Sequence, residues 1–167
     1  MQERHEREQC FFNQQTVDAV ADLLEPFRRP CVSCAPMVGV ELEDRGTDVV
    51  TLDIDERSNS LRSFRRLDLY RPERLERRFG VMFVGPPFFG VSPSQLFHAL
   101  RVLAQLDFTQ RIAVSYLTQQ RDAVLGTFAP SILRATGFRP GCRTVQKCRR
   151  SDIEVFADFE LGSDCDD

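Results

Sequence analysis

Two cysteines, two aspartates and a proline-rich corner are the parts of this chain whose residue types and spacing could do chemistry. Cys31 and Cys34 lie in "CVSCAP", Asp53 and Asp55 in "DIDER", and residues 83–90 read "FVGPPFFG". A C-x-x-C pair can hold zinc or cycle as a redox couple. Zinc would need two more ligands, and Cys142 and Cys148 fall inside what reads as a strand pair, while His5 and His98 have no ligand spacing. A redox role would need a helix beginning between the two cysteines, and none plainly does. Buried, reduced thiols are therefore the better reading, and no metal is expected. The aspartates close a β-branched run, where a carboxylate can accept both hydroxyls of a ribose or simply cap the next helix; spacing alone leaves these two open. The corner "GPPFFG" contains no group that can move a proton. By itself it reads as a strand stopped by prolines with phenylalanines filling the core.

The elements that would position these residues alternate in type. "TVDAVADLLEPF" puts Val17, Val20, Leu23, Leu24 and Phe27 on one face, so residues 14–25 read as a helix capped by Asn13 and closed by Pro26. "CVSCA" is a short strand, followed by a helix that Pro36 begins and Gly46 ends. "DVVTLDID" and "FRRLDLY" are strand candidates, "ERSNSLRSF" between them a short helix or turn, and "RPERLERRF" a short helix begun by Pro72. "GVMFV" has the continuous apolar character of a strand buried on both faces. "SPSQLFHALRVLAQL" is a helix capped by Ser92 or Ser94, "RIAVSYL" a fifth strand, and "TQQRDAVLGTFAPSIL" a helix broken at Pro130. "CRTVQKC" and "DIEVFADFE" then alternate around "RRSD" as an antiparallel hairpin does. Five βα repeats and a hairpin predict an open, mostly parallel α/β sheet with an antiparallel edge and helices on both faces.

In such a sheet a ligand binds at the carboxyl ends of the strands where their order reverses, and all three chemical stretches end strands. No dinucleotide glycine fingerprint follows the first strand and no phosphate loop is present, which argues against NAD, FAD and nucleoside triphosphates. A nucleoside cofactor without phosphates, such as S-adenosylmethionine, is the class left open.

Six blocks, "QCFFNQQTVDAVADLL", "CVSCAPMV", "TLDIDER", "FRRLDLYRPERL", "VMFVGPPFF" and "DIEVFADFE", follow in the order and spacing of the probable N6-adenine methyltransferase family, which the chain resembles over residues 9–160. Characterised members of that family include elongation-factor lysine methyltransferases. The resemblance implies a Rossmann-like methyltransferase fold. It places Cys31 and Ser33 in the loop that borders the methionine part of the cofactor, Asp55, with Asp53 before it, at the ribose, and Asp68 near the adenine. It aligns Gly85, Pro86, Pro87 and Phe88 with a motif written Asp-Pro-Pro-Phe or Asp-Pro-Pro-Tyr. In that motif the acid and a proline carbonyl orient the target amine, and the loss of such orientation costs orders of magnitude in rate. Gly85 stands where the acid should be. Pro86, Pro87, Phe88 and Phe89 keep the corner's shape.

The expected function is a methyltransferase-fold protein that has lost catalysis and acts as a structural or assembly subunit of a larger complex, with a ribosomal one as a candidate. The alternative is an active S-adenosylmethionine-dependent N-methyltransferase on a protein lysine or adenine, with a backbone carbonyl near Pro86 helped by Asp68 or Ser92. S-adenosylmethionine is the expected cofactor if any is kept.

The chain has 167 residues, 42% of them hydrophobic, which suits one domain with a full core. The division expected is a tail at 1–8, a methyltransferase-like domain at 9–161 and an acidic tail at 162–167. No apolar run approaches the roughly 20 residues of a membrane helix, and "MQERHEREQC" resembles neither a signal nor a transit peptide. No membrane partner is expected, and the setting is intracellular, cytoplasmic or mitochondrial. The formal net charge is −3, yet Lys147 is the only lysine and the remaining basic residues are arginines. Protein partners are therefore expected, and RNA is left open through local arginine clusters.

Overall fold

In the computed structural model, residues 12–54, 60–75, 77–85, 91–107, 109–141 and 153–160 are described. Their elements follow in the order α1 (Gln14–Leu24), β1 (Cys31–Ser33), α2 (Pro36–Asp44), β2 (Val50–Asp53), β3 (Phe64–Arg66), β4 (Met82–Val84), α3 (Pro93–Leu103), β5 (Ile112–Leu117), α4 (Arg121–Thr127), β6 (Arg134–Ala135) and β7 (Ile153–Ala157). The seven strands form one sheet in the order β3-β2-β1-β4-β5-β7-β6. The first five are parallel, while β7 runs antiparallel to both β5 and β6. This is the α/β architecture that the alternation of patterns predicts.

Strand alternation divides the core in two. Cys31, Leu52, Met82, Val84, Val114 and Phe156 pack on one face, with Leu96, Leu100 and Leu103 of α3 and Val124 of α4. Val32, Phe83, Ala113 and Val155 pack on the other, with Val17, Val20 and Leu24 of α1 and Val38 and Leu42 of α2. Helix α2 can lie close to β2 because residue 39 is glycine: a Cβ there would stand 2.2 Å from Thr51 Oγ1.

Two helices begin with side-chain caps that satisfy otherwise orphaned N–H groups. Asn13 Oδ1 accepts from Thr16 N–H at 2.8 Å, and Phe12 before it shares a cluster with Val17, as in a hydrophobic staple. In α3, Ser92 and Gln95 form a reciprocal capping box ahead of Pro93. The start of α1 is also stitched to distant chain, since Asn13 N–H donates to the Gly141 carbonyl at 2.8 Å and Gly141 N–H donates to Thr16 Oγ1 at 2.8 Å.

Two elements differ from expectation. The described residues of 71–79 are not helical; the side-chain amide of Gln105 donates to the carbonyls of Leu75 at 2.8 Å and Arg77 at 3.4 Å, so carbonyls that a helix would use internally are held from outside. The strand that pairs with β7 at the sheet edge is Arg134–Ala135, whereas the expected hairpin arm 142–148 lies outside the described residues. The region 118–133 is also more divided than a single helix, with 3-10 turns at Thr118–Gln120 and Ala129–Ser131 flanking α4.

Candidate functional site

The strand order reverses between β1 and β4, so the ends of these strands, with β2 and β3 beside them, form the crevice where this architecture takes ligands. The strand ends are laced together one residue past the ladder. Gly85 N–H donates to the Ser33 carbonyl, Cys34 N–H to Leu52 and Leu67 N–H to Asp53, each at 2.9 Å. Between β1 and α2 the chain turns within two residues. Cys34 takes a left-handed φ of 59°, uncommon for a side chain other than glycine, and Pro36 opens the helix at once. Ala35 gives α2 no side-chain cap; Pro36 has no N–H and Val38 N–H donates to the Ala35 carbonyl at 3.1 Å, so Met37 N–H is the first-turn donor that the positive end of this helix offers to a negative group.

Gly85, half-buried just beyond β4, has space for no more than a close-fitting side chain. A Cβ there would lie 3.4 Å from Ala35 Cβ, 3.4 Å from the Cys34 carbonyl oxygen and 3.5 Å from Phe12 Cζ. Phe12 is buried and meets Phe83 edge-on, with ring centroids 6.3 Å apart. Residues 86–90 lie outside the described residues, and with them Pro86, Pro87, Phe88 and Phe89. At Val91, the next described residue, the carbonyl accepts from Tyr116 Oη at 2.6 Å. Burial raises the Tyr116 phenol above its ordinary range.

The candidates for cofactor binding separate by exposure. Cys31 and Ser33 are 0% and 1% exposed, and Asp53 is 1% exposed. Cys31 starts β1, level with Val50 and Met82, so its side chain belongs to the core, away from the crevice. Burial pushes the Cys34 thiol up to about 12, the Asp53 carboxylate adds to this, and the Ser33 hydroxyl opposes it. Burial, with Cys34 second, raises Cys31 as well. Both shifts favour the protonated thiol, which disfavours nucleophilic attack by either cysteine. Among the described residues no three His, Cys, Asp or Glu side chains gather as a metal site.

Asp68 is half-buried past the end of β3, where its Oδ1 accepts from Tyr70 N–H at 2.9 Å and closes a local turn. Asp55 lies outside the described residues. Sequence reasoning assigned no role to Phe12, Tyr116 or Gln105, although an aromatic immediately before an N-cap is a readable signal for Phe12.

A cavity of about 480 Å³ lies beside the starts of β2 and β3, lined by Glu43, Asp48, Arg62, Ser63, Arg65 and Arg77 among others. Among the described residues no helix is long and apolar enough to cross a membrane.

Sheet order, helices on both faces and a reversed final strand define the Rossmann-like methyltransferase fold, and solved structures agree. The chain is similar to a TehB-like SAM-dependent methyltransferase from Corynebacterium glutamicum, with a TM-score of 0.55, 16% identity, and 84% of this chain and 85% of that one covered. It is also similar to the methyltransferase domain of bacterial CtHen1, with a TM-score of 0.60, 12% identity, and 87% and 97% covered. A third likeness is to the 16S rRNA methylase RmtB, with a TM-score of 0.53, 16% identity, and 86% and 61% covered. A comparison with curated proteins gives no match. The family model described as "Probable N6-adenine methyltransferase" matches residues 3–161, and the chain belongs to that family. This is a fold in which methyltransferases hold S-adenosylmethionine.

Proposed function

We propose that this protein is a methyltransferase-fold subunit that no longer transfers methyl groups and serves a structural or assembly role in a larger complex, with a ribosome or ribosome-assembly particle as the candidate setting. The observation that carries the reading is Gly85. At the end of β4, the nearest atoms to its absent side chain are a methyl group, a backbone carbonyl and an aromatic edge. None is the acidic acceptor that would hold an amine in line with a methyl donor, and orientation supplies most of what such a transfer needs.

Cofactor binding is separable from this loss. The crevice fits the donor's methionine end, whose carboxylate suits the uncapped N-terminus of α2. Asp55 would hold the ribose, and the Asp68 turn would border the adenine. The buried side chains of Ser33 and Asp53 shape the floor of this crevice, while Cys31 packs in the core away from it. When bound, S-adenosylmethionine supplies an activated methyl group; the chain itself supplies only the geometry around it.

The test is methyl transfer from labelled S-adenosylmethionine into a cell extract by wild type and by Gly85→Asp, whose Cβ would meet neighbours at ordinary contact distance. No transfer by wild type, together with migration of the native protein in a large complex, is expected. Transfer by wild type, or native protein running only as a free monomer, would overturn the reading. Calorimetry with S-adenosylmethionine, beside Asp55→Ala, then decides whether the nucleoside crevice is kept.

A second reading, an active N-methyltransferase on a protein lysine or adenine, has one specific support. The Cys34 carbonyl oxygen stands in the same corner as Gly85 and could accept the hydrogen bond from the target amine. Under that reading Gly85→Asp changes an existing rate instead of creating one.

A further inference from the structure

We infer that the β3 edge and the non-helical segment that follows it form a binding face for the phosphodiester backbone of a single-stranded nucleic acid. Residues 60–80 carry seven arginines against Asp68, Glu73 and Glu76, a net of +4 in a chain of net charge −3, so the remainder carries −7. All seven arginines, at 62, 65, 66, 71, 74, 77 and 78, are exposed.

Three arginines outside this stretch are neutralised by carboxylates. Arg45 is held by Asp22, Glu25 and Glu41, Arg121 by Glu154 and Arg29 by Asp48. Among the described residues, the only ion pair made by the seven is Arg78 with Asp107, at 3.5 Å and with the Arg78 side chain 79% exposed. Arg62, Arg65 and Arg77 reach the cavity of about 480 Å³ at the start of β3. Its two carboxylates are already engaged. Glu43 accepts from Arg62 N–H at 3.0 Å and Ser63 Oγ–H at 2.8 Å, and Asp48 is paired with Arg29 at 3.1 Å.

The backbone that displays these arginines is non-helical at its described residues and is held from outside. The Gln105 side chain binds the Leu75 and Arg77 carbonyls, and its oxygen accepts from Arg74 at 3.3 Å. Arg71, Arg74 and Arg77 therefore recur at every third position along non-helical chain, about 10 Å apart at full extension. Within the stripe Tyr70 is 54% exposed. Forked donors for phosphate oxygens and an exposed ring on which a base can stack favour a nucleic acid over an acidic protein, which needs only the charge. The inference does not depend on whether methyl transfer is lost, because none of these groups lies in the corner around Gly85.

The experiment is fluorescence anisotropy with the full chain and labelled oligouridine or oligothymidine of about twelve nucleotides, from about 50 to 200 mM salt. Binding should weaken with salt, and the combined variant Arg66→Gln, Arg71→Gln, Arg77→Gln should bind at least about tenfold more weakly, with a logarithmic salt slope shallower by about 2. Tyr70→Ala should lose about fivefold or more. Arg134→Gln, on β6 at the opposite edge of the sheet, should change affinity by less than about twofold. Equal affinity for both oligonucleotides assigns the face to phosphate and base alone, and preference for oligouridine assigns it to RNA. Undiminished binding by the triple variant overturns the inference. So does equally tight binding of a polyglutamate peptide that Tyr70→Ala leaves unchanged, which would make the face a site for an acidic protein.

Discussion

The corner around Gly85 and the edge along β3 treat polar residues in opposite ways. At the corner, Ser33 and Asp53 are turned inward at 1% exposure, the strand ends bond to one another, and Phe12 closes over a position with no side chain. At the edge, the arginines face outward on backbone fixed by other residues. One region is enclosed and has no side chain at position 85, and the other has exposed charge without enclosure. On the readings proposed above, the first builds the fold and the second, several strands away, serves recognition.

If the corner builds the fold, truncation there should cost stability even without any cofactor. Phe12→Ala removes a buried ring that contacts the Gly85 site and Phe83, and urea unfolding should show a loss of about 3 kcal/mol or more. A loss below about 1 kcal/mol would mean that Phe12 covers the corner loosely, as a gate might.

Arg121→Ala is the next largest. It strips the 2.5 Å partner from Glu154, whose side chain is 2% exposed on β7. The loss should be about 2 kcal/mol, below that of a wholly buried pair because Arg121 is 41% exposed. Adding Glu154→Gln should restore part of it. No restoration would mean that Arg121 acts through its own packing and not through the buried charge.

Glu43→Gln tests the support under the arginine edge. Burial pushes the Glu43 carboxyl up, but hydrogen bonds from Ser63 and from the backbone N–H groups of Arg62 and Ser63 outweigh it, and the net shift is down. The stability it provides is therefore present above the ordinary glutamate range, about 4, and lost as the pH falls through the lowered value. At neutral pH the variant should be less stable by about 1 kcal/mol, and the two proteins should converge in acid. A constant gap at all pH values would refute an ionic role.

The smallest effect on folding should come from the edge itself. Arg66→Gln with Arg71→Gln should shift stability by less than about 0.5 kcal/mol, whatever it does to nucleic-acid affinity. A larger destabilisation would make these arginines part of the fold and erase the contrast with the corner.

Much of the fold was readable because its signals are local. Asn13 and Ser92 cap helices with residues next to them in sequence, and the apolar run ending at Val84 needs no distant partner to declare itself buried. Residues 71–79 misled because a proline followed by interleaved Arg and Glu suits a helix, whereas the deciding partner, Gln105, lies about 30 residues away. The pairing of β7 with Arg134–Ala135 was hidden for the same reason, since two exposed residues carry no alternation.

At the site, the strand ends were placed correctly, but side-chain depth was not. Cys31 heads its strand and so packs beneath the crevice, which a three-residue strand hides from pattern reading. Asp55 and Pro86 to Phe89 lie outside the described residues.

The stitch between the start of α1 and Gly141 has a consequence for the order in which the molecule can be made. Thr16 and Gly141 are 125 positions apart, so the bonds that seat the first helix require almost the whole chain. Contacts of such long sequence separation form late because the intervening loop must first be closed. During synthesis α1 leaves the ribosome ahead of the other elements and can lay its apolar face on α2 and the early strands, yet the tie at Asn13 and Thr16 must await chain made near the end. A nascent chain halted before residue 141 would therefore leave the start of the first helix untied, and should be cut by protease near Asn13 to Thr16 until synthesis passes that point.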